Sequence, residues 1–427
     1  MDRRQFVKKS SLTFSALPIL PSLVRTEKYS LALIGCGWWG MNILREAMAH
    51  GSCKVVALCD VDANALSSVN DQVRNLSGDR PKLYKDYREL IQRHKPEIVI
   101  IGTPDHWHAL PAIEAMKSGA HIYLEKPIGH TIGEGQAILA TARKYDRIVQ
   151  VGTHRRVSDH NISAMEFLKS GKAGKISQVR CFIAYGGGAG TIQQDSDPPV
   201  GLDWDFYVGP AEETAFNSSI HPREFRQFLN FANGTMGDWG IHWFDQVLWW
   251  AEEKYPKTVY STGGRYVKED NTDAPDTQTA IFEFEQFNLT WEHRLCAPNG
   301  HIDRNVGCFF FGELGTLHLG WRNGWTFYPK GKNKAPINYK ATLHEPDWQN
   351  IPELWTDFIT SIESEKRPIC DIEIGHQATN MSLLGMMSYK LGRSVQWDGE
   401  KEQIVGDQEA NKLLRRNYRG EWEYPVI

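Results

Sequence analysis

The residues able to do chemistry fall into groups far apart in the chain. Gly35-Cys36-Gly37-Trp38-Trp39-Gly40 forms a G-x-G-x-x-G pattern between an apolar strand pattern at residues 31–34 and a helical pattern ending near His50. In that context the first glycine permits a tight turn and the second lets the backbone approach a pyrophosphate. The third lets the helix pack closely on the strand, with the helix N-terminus facing the anion. Asp60 ends the next strand pattern 20 residues after Gly40. A carboxylate there accepts hydrogen bonds from both ribose hydroxyls of NAD and repels a 2′-phosphate, so NAD is expected over NADP. Asp62 is then free to cap the following helix.

A second group, Asp238 and His242, lies four residues apart in a helical pattern, which puts both side chains on one face. A carboxylate so placed orients an imidazole, fixes its tautomer and favours its charged form. The imidazole can then take a hydroxyl proton while hydride leaves carbon. The same two residues equally suit an N-cap Asp followed by a buried structural His. Two further segments end strand patterns, where ligands of open α/β sheets bind: Gly102-Thr103-Pro104-Asp105-His106-Trp107-His108 and Glu125-Lys126-Pro127. Pro127 biases Lys126 toward an extended backbone, which holds its amine at the strand end for a substrate hydroxyl or a proton. His106 and His108 alternate without a carboxylate or third His in register, so no metal is expected. Of the tryptophans near Asp238, Trp243, Trp249 and Trp250 read as core; Trp239 is expected to meet a substrate, as is Trp204 in Gly201-Leu202-Asp203-Trp204-Asp205.

These groups need elements to hold them. Strand patterns at residues 31–34, 54–59, 97–101, 121–124 and 148–151 alternate with amphipathic stretches, which predicts a doubly wound parallel sheet covered on both faces. After residue 151, longer alternating runs at 176–185, 258–267, 277–285, 287–293 and 306–311 predict an antiparallel sheet. Helices are expected at 236–252, 352–364 and 373–391. The expected organisation is α/β: a Rossmann domain over 29–152, then an α+β domain over 153–427 with a large, mainly antiparallel open sheet. Residues 186–201 make a long loop that reads as site-lining. The 427 residues are 41% hydrophobic, enough for a core in each domain. With 48 Lys+Arg against 52 Asp+Glu there is no basic excess for nucleic acid. The seven cysteines are scattered and never in a CxxC pair, so they read as buried small residues.

Residues 1–28 read as an address. Arg3-Arg4, Phe6 and a weakly apolar run broken by Pro18 and Pro21 resemble a twin-arginine export leader, too short to be a stable membrane span. A periplasmic protein delivered folded by the twin-arginine machinery is expected, with retention at the inner membrane if the leader stays uncleaved. The segment carries six basic and two acidic side chains, which leaves the remainder at a net charge of −8.

On these motifs the chain resembles the Gfo/Idh/MocA oxidoreductase family over nearly all of residues 29–427. Gly35 to Gly40 is similar to its nucleotide loop, Thr103-Pro104 through His108 to its nicotinamide-side segment, and Glu125-Lys126-Pro127 to its signature tripeptide. The resemblance implies cofactor contacts at Gly35, Gly37, Trp38, Trp39, Gly40, Asp60, Thr103, Pro104, His108, Glu125 and Lys126. It implies a Lys126 that touches both substrate and nicotinamide, and a catalytic Asp238–His242 pair of the inositol dehydrogenase type. In Gln150-Val151-Gly152-Thr153-His154-Arg155-Arg156 a polar or basic residue approaches the substrate, here expected to be Arg155. The implied activity is NAD-dependent oxidation or reduction of a sugar or polyol by a homo-oligomer, dimer or tetramer. Some members instead hydrolyse glycosides through transient oxidation by bound NAD; the His-Gly-Leu-Gly-like segment of that branch is not found here. A non-catalytic sugar-binding protein is the remaining alternative.

Overall fold

The computed structural model describes residues 27–251, 253–298 and 304–426; the segment expected to be an export leader, residues 1–28, lies outside them save for its last two residues. The first part runs β1 (Tyr29–Ile34), α1 (Trp38–His50), β2 (Cys53–Cys59), α2 (Ala63–Ser77), β3 (Lys82–Tyr84), α3 (Tyr87–His94), β4 (Ile98–Ile101), α4 (Ala109–Lys117), β5 (His121–Leu124), α5 (Ile132–Lys144) and β6 (Val149–Val151). All neighbouring strands are parallel, in the order β3-β2-β1-β4-β5-β6. This is the doubly wound Rossmann order, and the crevice where the winding reverses lies beyond the ends of β1 and β4. The four apolar residues of β4 are all buried, as helices on both faces require. Strand β3 escaped the sequence reading because its three residues form a sheet edge with Lys82 and Leu83 exposed, which leaves no apolar pattern. Asp62 caps α2 by accepting from the Asn64 N–H at 2.9 Å, which leaves Asp60 available.

The second part runs α6 (Asp159–Lys169), β7 (Ile176–Ala184), α7 (Trp204–Val208), a π-helical turn at Met236–Gly240, α8 (Ile241–Trp250), β8 (Thr258–Gly264), β9 (Thr277–Glu283), β10 (Asn288–Arg294), β11 (Val306–Gly312), β12 (Gly315–Gly320), β13 (Trp325–Pro329), β14 (Ile337–Tyr339), α9 (Ile351–Ser364), α10 (Ile372–Leu391), β15 (Val395–Asp398) and β16 (Gln403–Ile404). These strands form one ten-stranded sheet in the order β14-β13-β12-β11-β7-β10-β9-β8-β15-β16, antiparallel except between β7 and β10. Its apolar face, carrying Val179, Phe282, Leu289 and Phe310, packs with Trp243 and Phe244 of α8 and Leu384 of α10.

Packing crosses the boundary that the sequence suggests at residue 152. Ile351, Leu354, Trp355 and Phe358 of α9 belong to the core of the first sheet. The C-terminal tail also returns to the first domain. Arg416 Nε donates to Glu134 at 2.9 Å, Tyr418 donates to the same carboxylate at 2.7 Å, and Trp422 packs edge-on against Trp107. Among the described residues, no helix is long and apolar enough to cross a membrane.

Candidate active site

A cleft of about 1130 Å³ runs between the domains. Gly35, Gly37, Trp38, Trp39, Asp60, Thr103, Pro104 and His108 line one part of it, and Glu125, Lys126, Asp238, Trp239 and His242 line another. Small-ligand pockets span roughly 300–1,000 Å³, so a dinucleotide and a second small molecule fit together.

The glycines divide their labour as their spacing implies. Gly35 has a φ of +93°, and a side chain on it would strike the backbone of Gly102 and Thr103 at 2.6 Å. A Cβ on Gly40 would lie 2.2 Å from the Gly35 carbonyl oxygen, so this residue permits packing and does not line the cleft. A Cβ on Gly37 would meet no protein atom within 4 Å, which leaves its side of the loop free for a pyrophosphate. Asp60 accepts from the Cys36 N–H at 2.6 Å and from the Asp62 N–H at 2.8 Å, tying the glycine loop to the end of β2. Burial pushes this carboxyl up to about 6, against the lowering effect of those bonds. Each oxygen retains a lone pair for a ribose hydroxyl. Past β4, the Thr103 hydroxyl is buried without a partner among the described residues, an acceptor and donor open to a ligand. His108 joins the loops after β4 and β5, its Nδ1 2.6 Å from the Pro127 carbonyl and its Nε2 2.9 Å from that of Thr103. Burial pushes His108 down to about 4, so the ring is neutral and donates to one of the two. These residues fit a dinucleotide.

At the other end, Lys126 Nζ donates to Asp238 Oδ1 at 2.7 Å and to the Asp238 carbonyl at 2.9 Å. Arg226 Nε stands 3.4 Å from the same Oδ1. Burial would raise the Asp238 carboxyl, but the two cations outweigh it and hold the group below its usual range. His242 moves differently: burial first, then the charges of Lys126 and Arg155 and the neighbouring His154 ring, depress it well below the usual imidazole range. Its Nδ1 is buried without a partner among the described residues, and the residue lines the cleft. The ring sits among Trp321, His154 and Trp239, with centroids 5.0, 5.2 and 6.1 Å away. Tyr185 closes this aromatic wall 5.7 Å from Trp239. In the same cleft Asp105 is pushed up to about 7 by burial, with Arg226 and Lys126 opposing and Asp238 reinforcing.

Besides Gly40, the structure places three of the expected residues differently from the sequence reading. Asp238 does not orient His242, because its carboxylate turns from the π-helical turn toward Lys126 and Arg226; charge decides this, since His242 is neutral and the other two are cations. Trp204 does not face the cleft: it stacks on Tyr207 in a satellite core, and its Nε1 donates to the Thr214 carbonyl at 2.7 Å. Arg155 is buried behind the wall, with its guanidinium 3.3 Å from the centroid of Trp321 and a hydrogen bond to the Trp321 carbonyl at 2.8 Å. The neighbouring His154 is the residue of that 3₁₀ turn that lines the cleft. His154, Trp321, Arg226, Asp105, Tyr185 and Arg223 line the cleft without having been singled out from the sequence. Arg226 carried a legible signal in His221-Pro222-Arg223-Glu224-Phe225-Arg226, a basic cluster in an aromatic-rich loop just ahead of Asp238, whereas Trp321 is one tryptophan among 15. Among the described residues, no three His, Cys, Asp or Glu side chains converge as a metal site.

The fold and the cleft define a two-domain dinucleotide-binding protein whose second domain supplies half of the site. Three family models match it in turn: the oxidoreductase family NAD-binding Rossmann fold over residues 29–153, the GFO/IDH/MocA C-terminal domain over 202–318, and the oxidoreductase family C-terminal alpha/beta domain over 324–424. The chain belongs to the Gfo/Idh/MocA oxidoreductase family and has that family's NAD-binding domain. It is 30% identical over 192 residues to a glycosyl hydrolase family 109 protein of Stenotrophomonas maltophilia, an alignment covering 42% of this chain and 41% of the relative. The chain thus spans about a third to two fifths of the length of the curated relatives it matches. Among solved structures, the WlbA dehydrogenase of Chromobactrium violaceum, in complex with NADH and UDP-GlcNAcA, is similar at a TM-score of 0.67 and 16% identity, with 88% of this chain and 98% of that one covered. The aldose-aldose oxidoreductase of Caulobacter crescentus, complexed with glycerol, is similar at 0.65 and 17%, with 87% and 100% covered.

Proposed function

We propose that the protein is an NAD-dependent oxidoreductase that moves hydride between a hydroxyl-bearing carbon of a sugar, sugar derivative or polyol and a tightly held nicotinamide. The observation that carries this reading is the Lys126–Asp238 pair, set against a neutral His242 and an aromatic wall in the same cleft as the glycine loop. NAD supplies the hydride acceptor when bound. Lys126 donates to the substrate oxygen, where a positive charge stabilises the developing alkoxide. Asp238, kept ionised between Lys126 and Arg226, holds the ammonium in place. His242, uncharged, accepts the hydroxyl proton on a ring nitrogen. Trp239 and Trp321, with ring centroids 5.0 Å apart, present apolar faces suited to the C–H face of a sugar ring. Asp60 favours NAD over NADP through the ribose hydroxyls.

The test is His242→Ala. Nucleotide binding should survive while turnover on any wild-type sugar substrate falls roughly 10²–10⁴-fold; undiminished turnover would remove His242 from this role. A second reading, NAD-dependent glycoside hydrolysis, is favoured by the glycosyl hydrolase family 109 names of the sequence relatives. It is distinguished by free sugar appearing without net NADH. A chain that binds sugar yet does neither would be a sugar-binding protein. The leader motif Arg3-Arg4 supports export of the folded protein to the periplasm, where no free nicotinamide pool is expected, so the cofactor would be loaded before export and retained. Reoxidation would then occur in place, by a second sugar, by return of the hydride, or by an external acceptor. The open ten-stranded sheet suits homo-oligomer contacts, which sedimentation would test.

A further inference from the structure

The loop 221–227 of the second domain reaches across the cleft to the glycine loop. Arg223 Cζ lies 5.7 Å from the ring centroid of Trp38, the first residue of α1 and the neighbour of Gly37. Arg223, Trp38 and Gly37 all line the cleft. Both side chains of the pair are exposed, and no carboxylate among the described residues stands within ion-pair distance of the Arg223 guanidinium. Its backbone, by contrast, is held: Arg226 Nη1 donates to the Arg223 carbonyl at 3.1 Å, and Arg226 is itself anchored on Asp238. A guanidinium without a carboxylate partner among the described residues thus shares the cleft with Trp38 and with Gly37, on which a Cβ would meet no protein atom within 4 Å.

We infer that Arg223 binds the pyrophosphate of the dinucleotide from the side opposite the glycine loop, so that the second domain supplies the charge the loop lacks. This rests on the reading of the cleft as a dinucleotide site. The glycine loop offers backbone N–H groups but no basic side chain of its own in residues 35–40. Guanidinium is the side chain whose planar donors match phosphate oxygens two at a time. The Lys126–Asp238–Arg226–Arg223 chain also links the reacting end to the phosphate end.

The experiment measures affinity of the purified full chain, freed of nucleotide, for three probes: NAD, ADP-ribose and adenosine. Arg223→Ala should weaken NAD and ADP-ribose by roughly tenfold or more and flatten the salt dependence of both, while adenosine, which has no phosphate, binds as in the wild type. Arg223→Lys should recover part of the loss. Unchanged ADP-ribose affinity in Arg223→Ala would overturn the inference, and so would an equal loss for adenosine, because that would mark a disturbed fold. A wild-type chain that binds none of the three would overturn the dinucleotide reading itself, and this inference with it.

Discussion

The nucleotide end and the reacting end of the cleft are built on different principles. At the nucleotide end the geometry is set by backbone: two glycines packed so tightly that a single Cβ would collide, and a carboxylate, Asp60, tied to the loop by a main-chain N–H. At the reacting end it is set by side-chain charge. Asp238 is held low by two cations from other segments, while His242, one turn away, is driven neutral by burial and by the charge of Lys126. Two ionisable groups four residues apart therefore diverge because of partners far away in the chain. Backbone rules act between sequence neighbours, whereas electrostatic ones act between spatial neighbours.

This contrast can be broken at either end. The largest effect is expected from Lys126→Ala, which should lower turnover roughly 10²–10⁴-fold and let the Asp238 carboxyl rise; a loss below tenfold in single-turnover kinetics would show that Lys126 does not touch the substrate oxygen. Next, Gly40→Val should cost about 3 kcal/mol of stability and abolish NAD binding, because the Gly35 carbonyl cannot give way. Gly37→Ala should leave the melting temperature unchanged and weaken NAD alone; equal melting temperatures for the two variants would erase the division of labour. Asp105, raised from 3.8 to about 7, should contribute stability that is complete below about pH 4 and lost as pH climbs through 7. Asp105→Asn should therefore remove a loss on the order of 2 kcal/mol between about pH 5 and pH 8, read from denaturant midpoints. Asp60, raised to about 6, must be ionised to serve ribose best, so NAD affinity should fall as pH drops below that value, by at most about tenfold per unit. The smallest effect belongs to Trp204→Phe, which should cost about 1 kcal/mol and leave KM unchanged; a raised KM would return Trp204 to the substrate site.

The parallel sheet, the glycine loop and Asp60 were legible because each depends on period or spacing within a few tens of residues. The tripeptide Glu125-Lys126-Pro127 and the Asp238–His242 spacing pointed to side chains that line the cleft but not to their partners. Arg155 was expected at the substrate from its segment alone, yet His154 is the residue of that turn that lines the cleft, and the Arg155 guanidinium packs on Trp321. Trp204 carried the same ambiguity, since an aromatic side chain serves a core or a ligand equally well.

By itself, then, the amino-acid sequence determined the Rossmann half, its cofactor loop and most of the groups lining the cleft, because local backbone geometry and hydrophobic period follow from adjacent residues. Only the tertiary structure decided which charge each group carries. Lys126, Arg226, Asp238 and Trp321 come from separate segments, and protonation depends on the distance and burial that their meeting creates.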